Sequence, residues 1–590
     1  MTWTPQFGPR IERDGVTFRL FAPAARRVDL VTDKAVPMQV AGDGWHFVKL
    51  LGARVGTRYR FRIDDDIDVP DPASQFQPED AFGPSEVIDH AFAWRCGDWK
   101  GRPWHETVLS ELHVGAFSQA GTFRGAVAHL DALVEAGITA IELMPVADFA
   151  GRWNWGYDGV LLFAPDSAYG RPEDLKALVD AAHARGLMVF LDVVYNHFGP
   201  EGNFLSRYAP TFFTSDCRTP WGDAIDYRQE VVRAFAVENA LHWLDRYRFD
   251  GLRLDAVHAI IEPGQRTLLE MLSRAVGDLA RARGRHIHLV LEDDDNFATL
   301  LDPCEDIPNG RYRAQWNDDY HHAWHVLLTG ERAGYYRDYD GPGPRLSRAL
   351  SEGFVYQGEA SAHRGGAPRG EASGMLPPTA FVDFLQNHDQ IGNRPFGDRL
   401  VTLASPQAID AALSMLLLAP SPPMLFMGEE WGAREPFPFF CDFKGDLAEA
   451  VRNGRKAEFA EAFAATSRDI PDPLSQATFR SAVLDWAQRA QEPFASRLAL
   501  VKALLAVRRR RVVPLLASLG SGKASAQARF DDGLLSAAWA LPGGTLRLRA
   551  NLSDAAASAP PPIMPGDAIW GGAMPVRLPP WSVHWSVEGA

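Results

Sequence analysis

The sequence is poor in cysteine, with Cys96, Cys217, Cys304 and Cys441 far apart along 590 residues. Their spacing matches no metal site, so we interpret them as free thiols of a reducing compartment. The sequence also has no apolar run long enough to span a bilayer, and no basic segment followed by an apolar core near its start. These absences predict a cytoplasmic protein with no membrane partner.

Positive charge is scarce as well. The chain has 60 Lys and Arg against 75 Asp and Glu, which gives a formal net charge of −15. Nucleic acids and anionic membranes require basic surfaces, so neither is expected as the main partner. No G-x-G-x-x-G or P-loop motif is present, which argues against a nucleotide-binding sheet. The apolar content of 46% is ordinary for a folded protein of several domains.

Both ends of the chain have strand patterns. Apolar and polar residues alternate in 16–20 and 59–63, as in an antiparallel sandwich with one solvated face. Similar alternation in 546–552 predicts a small β-domain near the carboxyl terminus. The tryptophan-rich stretch 94–104 is interpreted as a linker that packs through its indoles. The predicted domains are 1–92 (β-sandwich module), 93–515 (catalytic barrel with linker and insertions) and 516–590 (C-terminal β-sandwich domain).

The central region alternates short apolar runs with amphipathic helices, and this order predicts a (β/α)8 barrel. One predicted helix covers 122–136, with Val127, Leu130 and Val134 on one face. The eight predicted strands are 108–114, 140–144, 187–193, 252–255, 287–292, 312–316, 380–385 and 423–427.

Polar side chains follow several of these strands, at the end of a barrel where active sites lie. Arg253 and Asp255 are two residues apart and share one face of their strand, so the guanidinium is expected to keep the carboxylate ionised. A second polar segment, 192–197, ends in Asn196 and His197.

Two further acids follow later strands. Glu292 comes after an apolar run and precedes three aspartates, so burial and like charge are expected to raise its pKa. Asp389 lies beside Asn387 and His388, whose polar groups suit sugar hydroxyls. One ionised and one protonated carboxyl are the minimum equipment for cleaving a glycosidic bond.

Each segment alone also has a structural interpretation. A strand-end aspartate beside an arginine is often a simple ion pair. Asp192 suits a helix cap, and residues 292–295 suit a solvated acidic loop. The order of all the segments, each after its own strand, favours a catalytic site.

The four segments around Asp192, Asp255, Glu292 and Asp389 together resemble the four signature regions of the α-amylase superfamily of retaining glycoside hydrolases. Residues 16–90 resemble the immunoglobulin-like module of branching and debranching relatives. The resemblance implies a multidomain α/β fold, with a catalytic (β/α)8 barrel, an N-terminal immunoglobulin-like β-sandwich and a small C-terminal β-domain. Five segments support a closer match to the maltooligosyltrehalose trehalohydrolase family, and the last three are peculiar to it; the segments are 71–78, 83–86, 219–222, 384–400 and 471–473.

This resemblance implies roles for individual residues. Asp255 would be the nucleophile and Glu292 the general acid and base, with carboxyls about 5–5.5 Å apart as a retaining enzyme requires. Asp389 would bind and distort the sugar at the cleavage position. Implied or candidate substrate-binding residues are Tyr157, His197, Arg253, His258, Asn317, Asp318, His321, Asn387, His388 and Arg394. For His321, helix-start polarity is an equally simple interpretation.

The implied reaction is hydrolysis of the α-1,4 bond next to the terminal trehalose of a maltooligosyltrehalose. Its products would be trehalose and a maltooligosaccharide, which places the enzyme in trehalose biosynthesis. The chemistry requires no cofactor, and no set of oxygen ligands for calcium is visible around Asn196, so no metal is predicted. We expect a monomer.

Two alternatives remain at this point. A glucan branching enzyme would use the same acids to transfer the glucosyl unit to a sugar hydroxyl. A non-catalytic carbohydrate-binding protein would have the fold but would usually lack one of the acids. One departure from the family pattern is the segment 439–443, where an aromatic pair followed by Thr-Asp-His is expected.

Overall fold

Eight short parallel strands close into a barrel in the computed structural model of the chain. Each strand is buried at every position, as expected when helices cover the outside and side chains fill the inside. All eight lie within or beside the predicted runs, which confirms the (β/α)8 barrel. They are β1 (Leu109–Leu112), β2 (Ala140–Leu143), β3 (Met188–Val193), β4 (Gly251–Leu254), β5 (His288–Leu291), β6 (Ala314–Trp316), β7 (Phe381–Phe384) and β8 (Pro423–Phe426).

The structure describes most of the chain. The described ranges are 5–219, 222–260, 267–302, 309–460, 469–517, 519, 525–558 and 564–589. Cys304 and part of the predicted family segment 219–222, namely Pro220 and Trp221, lie outside the described residues.

Helices alternate with the barrel strands along the chain. None of the described helices is both long and apolar enough to cross a membrane. The longer helices of this region are Phe123–Val127, Leu130–Ala136, Pro172–His183, Glu230–Leu241, Thr267–Arg283, Asp318–Thr329, Pro342–Glu352, Pro406–Leu418, Gly445–Glu458 and Phe494–Val507.

The predicted helix 122–136 is wrong in one respect. Two helices replace it, Phe123–Val127 and Leu130–Ala136, with an interruption between them. The interruption changes the buried face, so Leu130 and Leu133 are buried while Val134 is exposed. A single helical period therefore does not describe this segment.

The linker packs through its tryptophans, as predicted. Trp99 stacks on His183 and donates to Asp250 Oδ1 at 2.8 Å. Trp104 is buried, packs on His288 at the start of β5 with 5.3 Å between ring centroids, and donates to the Thr379 carbonyl at 2.8 Å. These contacts fasten the linker to the end of the barrel opposite the predicted site.

The amino-terminal region contains two antiparallel sheets. Their inward-facing residues include Phe18, Leu20, Tyr59 and Phe61, which are buried as the alternation predicted. One sheet consists of Arg10–Glu12, Gly15–Phe21, Trp45–Leu51 and Gln39–Gly42, and the other of Ala35–Pro37, Val28–Val31, Arg58–Ile63, Ile67–Val69 and Ser85–Glu86.

The carboxyl-terminal region is also β-structured. Leu546, Leu548 and Trp585 point into its core and are almost fully buried. The order of the strands in its five-stranded sheet is Ser525–Asp531, Leu534–Leu541, Gly544–Asn551, Ser582–Gly589 and Asp567–Trp570. The multidomain α/β fold is confirmed, while the boundaries at residues 92 and 515 stay a prediction.

Candidate active site

A cavity of about 590 Å³ lies at the carboxyl ends of the barrel strands. The three predicted catalytic acids, Asp255, Glu292 and Asp389, all line it although they follow three different strands. Other predicted residues in its lining are Tyr157, His197, Arg253, His258, Asp318, Asn387 and His388. The barrel therefore brings together ten of the thirteen candidates.

Asp255 directly follows β4, and both of its carboxylate oxygens accept hydrogen bonds. Arg253 Nη1 donates to Oδ1 at 2.8 Å, and Asn196 Nδ2 donates to Oδ2 at 2.8 Å. The next residue, Ala256, has a φ of 40°, a left-handed conformation that costs a non-glycine residue roughly 1–2 kcal/mol. This turn directs the Ala256 amide toward Glu292.

Glu292 directly follows β5 and faces the same arginine. The Ala256 amide donates to Oε2 at 2.5 Å, and Arg253 Nη2 lies 3.7 Å from the same oxygen. Burial raises the pKa of Glu292 well above its usual range; Arg253 opposes the shift, whereas the neighbouring charges of Asp255 and Asp318 add to it. The carboxyl group therefore keeps its proton to a higher pH than a solvated glutamic acid does.

A buried hydrogen-bond network connects Tyr157 with Arg253. Asp192 Oδ2 accepts from the Tyr157 hydroxyl at 2.7 Å and from Arg253 Nη1 at 2.7 Å. Gly156 has a φ of +107°, and a Cβ there would approach a backbone oxygen to 2.1 Å, so the loop requires glycine at this position. The Tyr157 ring, fixed in this way, stacks on His388 with 5.0 Å between ring centroids.

His388 is held by Glu111, which belongs to β1. The Glu111 carboxylate lies 2.5 Å from His388 Nδ1 and accepts from the His388 amide at 3.0 Å. Burial disfavours the charged imidazole, but Glu111 outweighs it and raises the pKa of His388. Asn387 caps the short helix that follows by accepting from the Asp389 amide at 2.9 Å, and Asn393 donates to Asp389 Oδ1 at 2.7 Å.

Asp318 lines the cavity near two of the acids. Gln390 Nε2 donates to its Oδ1 at 3.0 Å. Burial, with the like charges of Asp294 and Asp389, raises the pKa of Asp318 to about 7. Above that pH, Asp318 is an anion that opposes the ionisation of Glu292.

This arrangement predicts the effect of Asp318→Asn. Removing the negative charge makes the Glu292 anion less unfavourable, so the pKa of Glu292 falls. If protonated Glu292 is needed for activity, the alkaline limb of kcat/KM moves to lower pH, and a pH profile of both proteins measures it. The control Asp340→Asn removes an exposed carboxylate paired with Arg332, and it should leave the limb in place. If the alkaline limb of kcat/KM stays at the wild-type pH in Asp318→Asn, the charge of Asp318 does not raise the pKa of Glu292 as assigned.

Three predicted substrate-binding residues are absent from the described lining of the cavity. Asn317 Nδ2 donates to Asp383 Oδ1 at 2.8 Å, His321 hydrogen-bonds to a backbone carbonyl and a tyrosine hydroxyl, and Arg394 forms a bidentate pair with Glu331. Each side chain bonds to a partner that its position in the sequence did not reveal.

The cavity also has lining and supporting residues outside the set of thirteen candidates. Trp155 and Phe439 line the cavity, and Trp316 also does so with the Arg253 guanidinium 4.1 Å from its ring centroid. Glu111 supports His388 from β1. The available signal was a lone carboxylate inside an apolar run, which usually means a buried partner.

Comparisons with known proteins show the family to which the chain belongs. Residues 95–215 match the model of the α-amylase catalytic domain, and residues 521–585 match a domain of unknown function, DUF3459. A malto-oligosyltrehalose trehalohydrolase of Deinococcus radiodurans is 41% identical over 84% of this chain and 81% of its own length. The chain belongs to the malto-oligosyltrehalose trehalohydrolase family. The Saccharolobus solfataricus relative of the same name is 40% identical over 81% of this chain and 83% of its own length.

A solved structure extends the similarity to nearly the whole chain of this trehalohydrolase family member. A putative α-amylase from Salmonella typhimurium is 44% identical, with a TM-score of 0.94 over 99% of this chain and 100% of that one. The chain is thus a glycoside hydrolase of the α-amylase superfamily, and the non-catalytic alternative loses its support.

Proposed function

We propose that this enzyme hydrolyses the α-1,4 bond next to the terminal trehalose of maltooligosyltrehalose and releases trehalose and a maltooligosaccharide. The observation that carries the proposal is the cavity at the barrel mouth, where Asp255, Glu292 and Asp389 meet. The relatives described above are named for this activity. The enzyme then acts in trehalose biosynthesis.

In the first step, an Asp255 oxygen attacks the anomeric carbon of the glucose unit before the trehalose. The bond from that carbon to the trehalose oxygen breaks as a carbon–oxygen bond to Asp255 forms, and Glu292 gives its proton to the departing oxygen. The hydrogen bonds from Arg253 and Asn196 orient the attacking carboxylate. Trehalose leaves with its hydroxyl restored.

In the second step, water releases the covalently bound glucan. Glu292, now ionised, takes a proton from the water while the oxygen of that water attacks the anomeric carbon and displaces Asp255. The raised pKa of Glu292 suits both steps, since the carboxyl must hold a proton first and accept one later. Two inversions leave the anomeric configuration unchanged.

The remaining polar residues bind the sugar at the cleavage position. Asp389 and His388 offer a carboxylate and an imidazole to its hydroxyls, and the Tyr157 ring provides a stacking surface. His197 and His258 line the same cavity and serve the same purpose. Hydrogen bonds to Glu111 and Asp192 hold this set in place before the substrate arrives.

A cytoplasmic monomer that needs no cofactor completes the proposal. Cys96, Cys217 and Cys441 are free thiols in the described part of the chain, which suits a reducing compartment. The net charge of −15 suits a neutral saccharide partner rather than nucleic acid.

Product analysis tests the proposed substrate. Maltotriosyltrehalose and maltopentaose contain the same number of glucose units and differ only in the linkage at one end. We expect free trehalose from the first and much slower cleavage of the second, measured by chromatography of the products. Equal rates on both, or branched products from amylose detected by iodine staining, would contradict the proposal.

A further inference from the structure

Two of the candidates outside the described cavity lining, His321 and Arg394, meet at one place beside it. Arg394 follows the short helix that carries Asp389, and Glu331 follows the helix Asp318–Thr329. Arg394 Nη1 and Nη2 donate to the two oxygens of Glu331 at 2.7 and 2.9 Å. The pair therefore connects the segment after the helix Asp318–Thr329 with the segment after the short helix His388–Gly392.

Glu331 has a second partner that extends the tie. His325 Nε2 lies 2.7 Å from Glu331 Oε2, and the His325 ring stacks on Tyr336 with 4.2 Å between centroids and 12° between planes. The Tyr336 hydroxyl also lies 3.0 Å from His321 Nε2. Two histidines on one helix thus hold Tyr336 from two directions.

Tyr336 in turn positions Tyr335, which lines the cavity. The two rings lie 4.6 Å apart between centroids, and Tyr335 also packs on His322 at 4.7 Å. Tyr335 stays 36% exposed, so its ring is available to a ligand. Asp318 and Asp389 line the same cavity as this ring.

The position of Tyr335 identifies the sugars that it can contact. Tyr335 shares the cavity wall with Asp318 and Glu292, and it packs on His322, which lies on the helix that begins at Asp318. Glu292 must face the departing oxygen, so this wall borders the leaving-group side of the cleft. In the proposed reaction, that side holds the trehalose unit.

We propose that Glu331, bound to Arg394 and His325, is a positioning residue that holds Tyr335 against the trehalose unit and so favours trehalose-terminated substrates; the inference rests on the proposed function. The Arg394 side chain is only 17% exposed, so the bidentate pair is partly shielded from solvent and geometrically specific. Hydrogen bonds from Arg394 and His325 both lower the pKa of Glu331, and Arg394 is the larger cause. The carboxylate therefore stays charged.

Glu331→Gln tests this arrangement with two substrates. For maltotriosyltrehalose, we expect kcat/KM to fall by about 10-fold, mostly through KM. For α-maltosyl fluoride, whose fluoride leaving group reaches no leaving-side contact, we expect an unchanged rate. Glu331→Asp keeps the charge and should restore part of the preference. Tyr335→Ala should lower the preference in the same way, and the double variant should lose no more than the larger single effect.

The matched control is Asp245→Asn. Asp245 forms a comparable bidentate pair with Arg283, at 2.8 and 2.9 Å, outside the described lining of the cavity. This variant should keep the wild-type ratio of the two rates. Melting temperatures show whether each variant folds, and Glu331→Asp serves for the comparison if Glu331→Gln does not.

The outcomes separate this inference from the proposed function. A wild-type enzyme that releases no trehalose refutes the proposed function. If the wild-type enzyme prefers trehalose-terminated substrates and Glu331→Gln has the same preference, only the positioning role is refuted. Equal losses on both substrates also refute it, because they would mean that the pair supports the catalytic acids or the fold.

Discussion

Asp255→Asn is expected to lower kcat/KM for maltotriosyltrehalose roughly 10⁵- to 10⁶-fold, the scale seen when an enzyme loses its covalent nucleophile. An amide oxygen is too weak a nucleophile to form the covalent bond to the anomeric carbon. The amide oxygen still accepts from Arg253, whereas the amide nitrogen cannot accept from Asn196 Nδ2, so one hydrogen bond is lost. The side chain keeps its size, so the fold should remain. Trehalose release over long incubations, with pure enzyme at high concentration, measures the residual rate.

Stability provides the first control for this variant. Asp255 lies in a site crowded with other carboxylates, among them Asp192 and Glu292, and its neutralisation relieves repulsion. We therefore expect a melting temperature equal to or above that of the wild type, as is common when a functional charge is removed. A large drop would mean that the lost activity reflects unfolding.

Asp255→Glu provides the second control. It keeps the charge but displaces the carboxylate by one methylene, and a misplacement of about 1 Å is enough to lower the rate about 100-fold.

A slow fluorosugar substrate should label the wild-type enzyme at Asp255, and mass spectrometry of the peptides detects the label. Label on a different residue, or an Asp255→Asn variant with near wild-type turnover, would refute the nucleophile assignment.

Much of the fold was accessible from the sequence because the strands of a barrel are buried on both sides. Such strands read as short apolar runs, and all eight were found in this way. Helix 122–136 failed because its interruption leaves no mark in apolar periodicity: His129 begins a new helix, and Val134 turns outward. The apolar periodicity of a segment predicts that a helix or strand is present, but it does not predict a break inside a helix.

The positions of the catalytic acids were easier to predict from the sequence than those of the outer binding residues. Asp255 and Glu292 directly follow strands and Asp389 lies on the short helix after β7, so the barrel brings all three to its carboxyl end. Asn317 also directly follows a strand, yet its side chain bonds to Asp383, and Arg394 pairs with Glu331. The directions of these two side chains depend on partners that are distant in the sequence.

Glu111 illustrates a partner that no local motif identified. It lies on β1 and contacts His388, 277 residues later, because the closed barrel places the loop after β7 near β1. Its carboxylate interrupts an apolar run, which is a signal of burial with a partner, but the signal does not identify that partner. Long-range pairing of this kind requires coordinates.

Glu292→Gln is expected to affect substrates according to their leaving groups. Trehalose needs a proton as it departs, and glutamine cannot supply one, so kcat for maltotriosyltrehalose should fall roughly 10²- to 10⁴-fold. Fluoride departs without a proton, so α-maltosyl fluoride should still form the covalent bond to Asp255. Rapid-mixing measurements should then show a burst of fluoride about equal to the enzyme concentration, followed by slow turnover, because the variant lacks a base for the second step.

Added azide separates the two roles of Glu292. As an anion that needs no base, azide should accelerate the slow phase and give an α-glycosyl azide with retained configuration. Asp255→Asn should show no fluoride burst, since no covalent intermediate forms. A Glu292→Gln variant that loses equal activity on both substrates and does not respond to azide would mean that Glu292 only orients Arg253 and the Ala256 amide. The proton would then have to come from another group in the cavity, such as Asp318, whose pKa is raised to about 7.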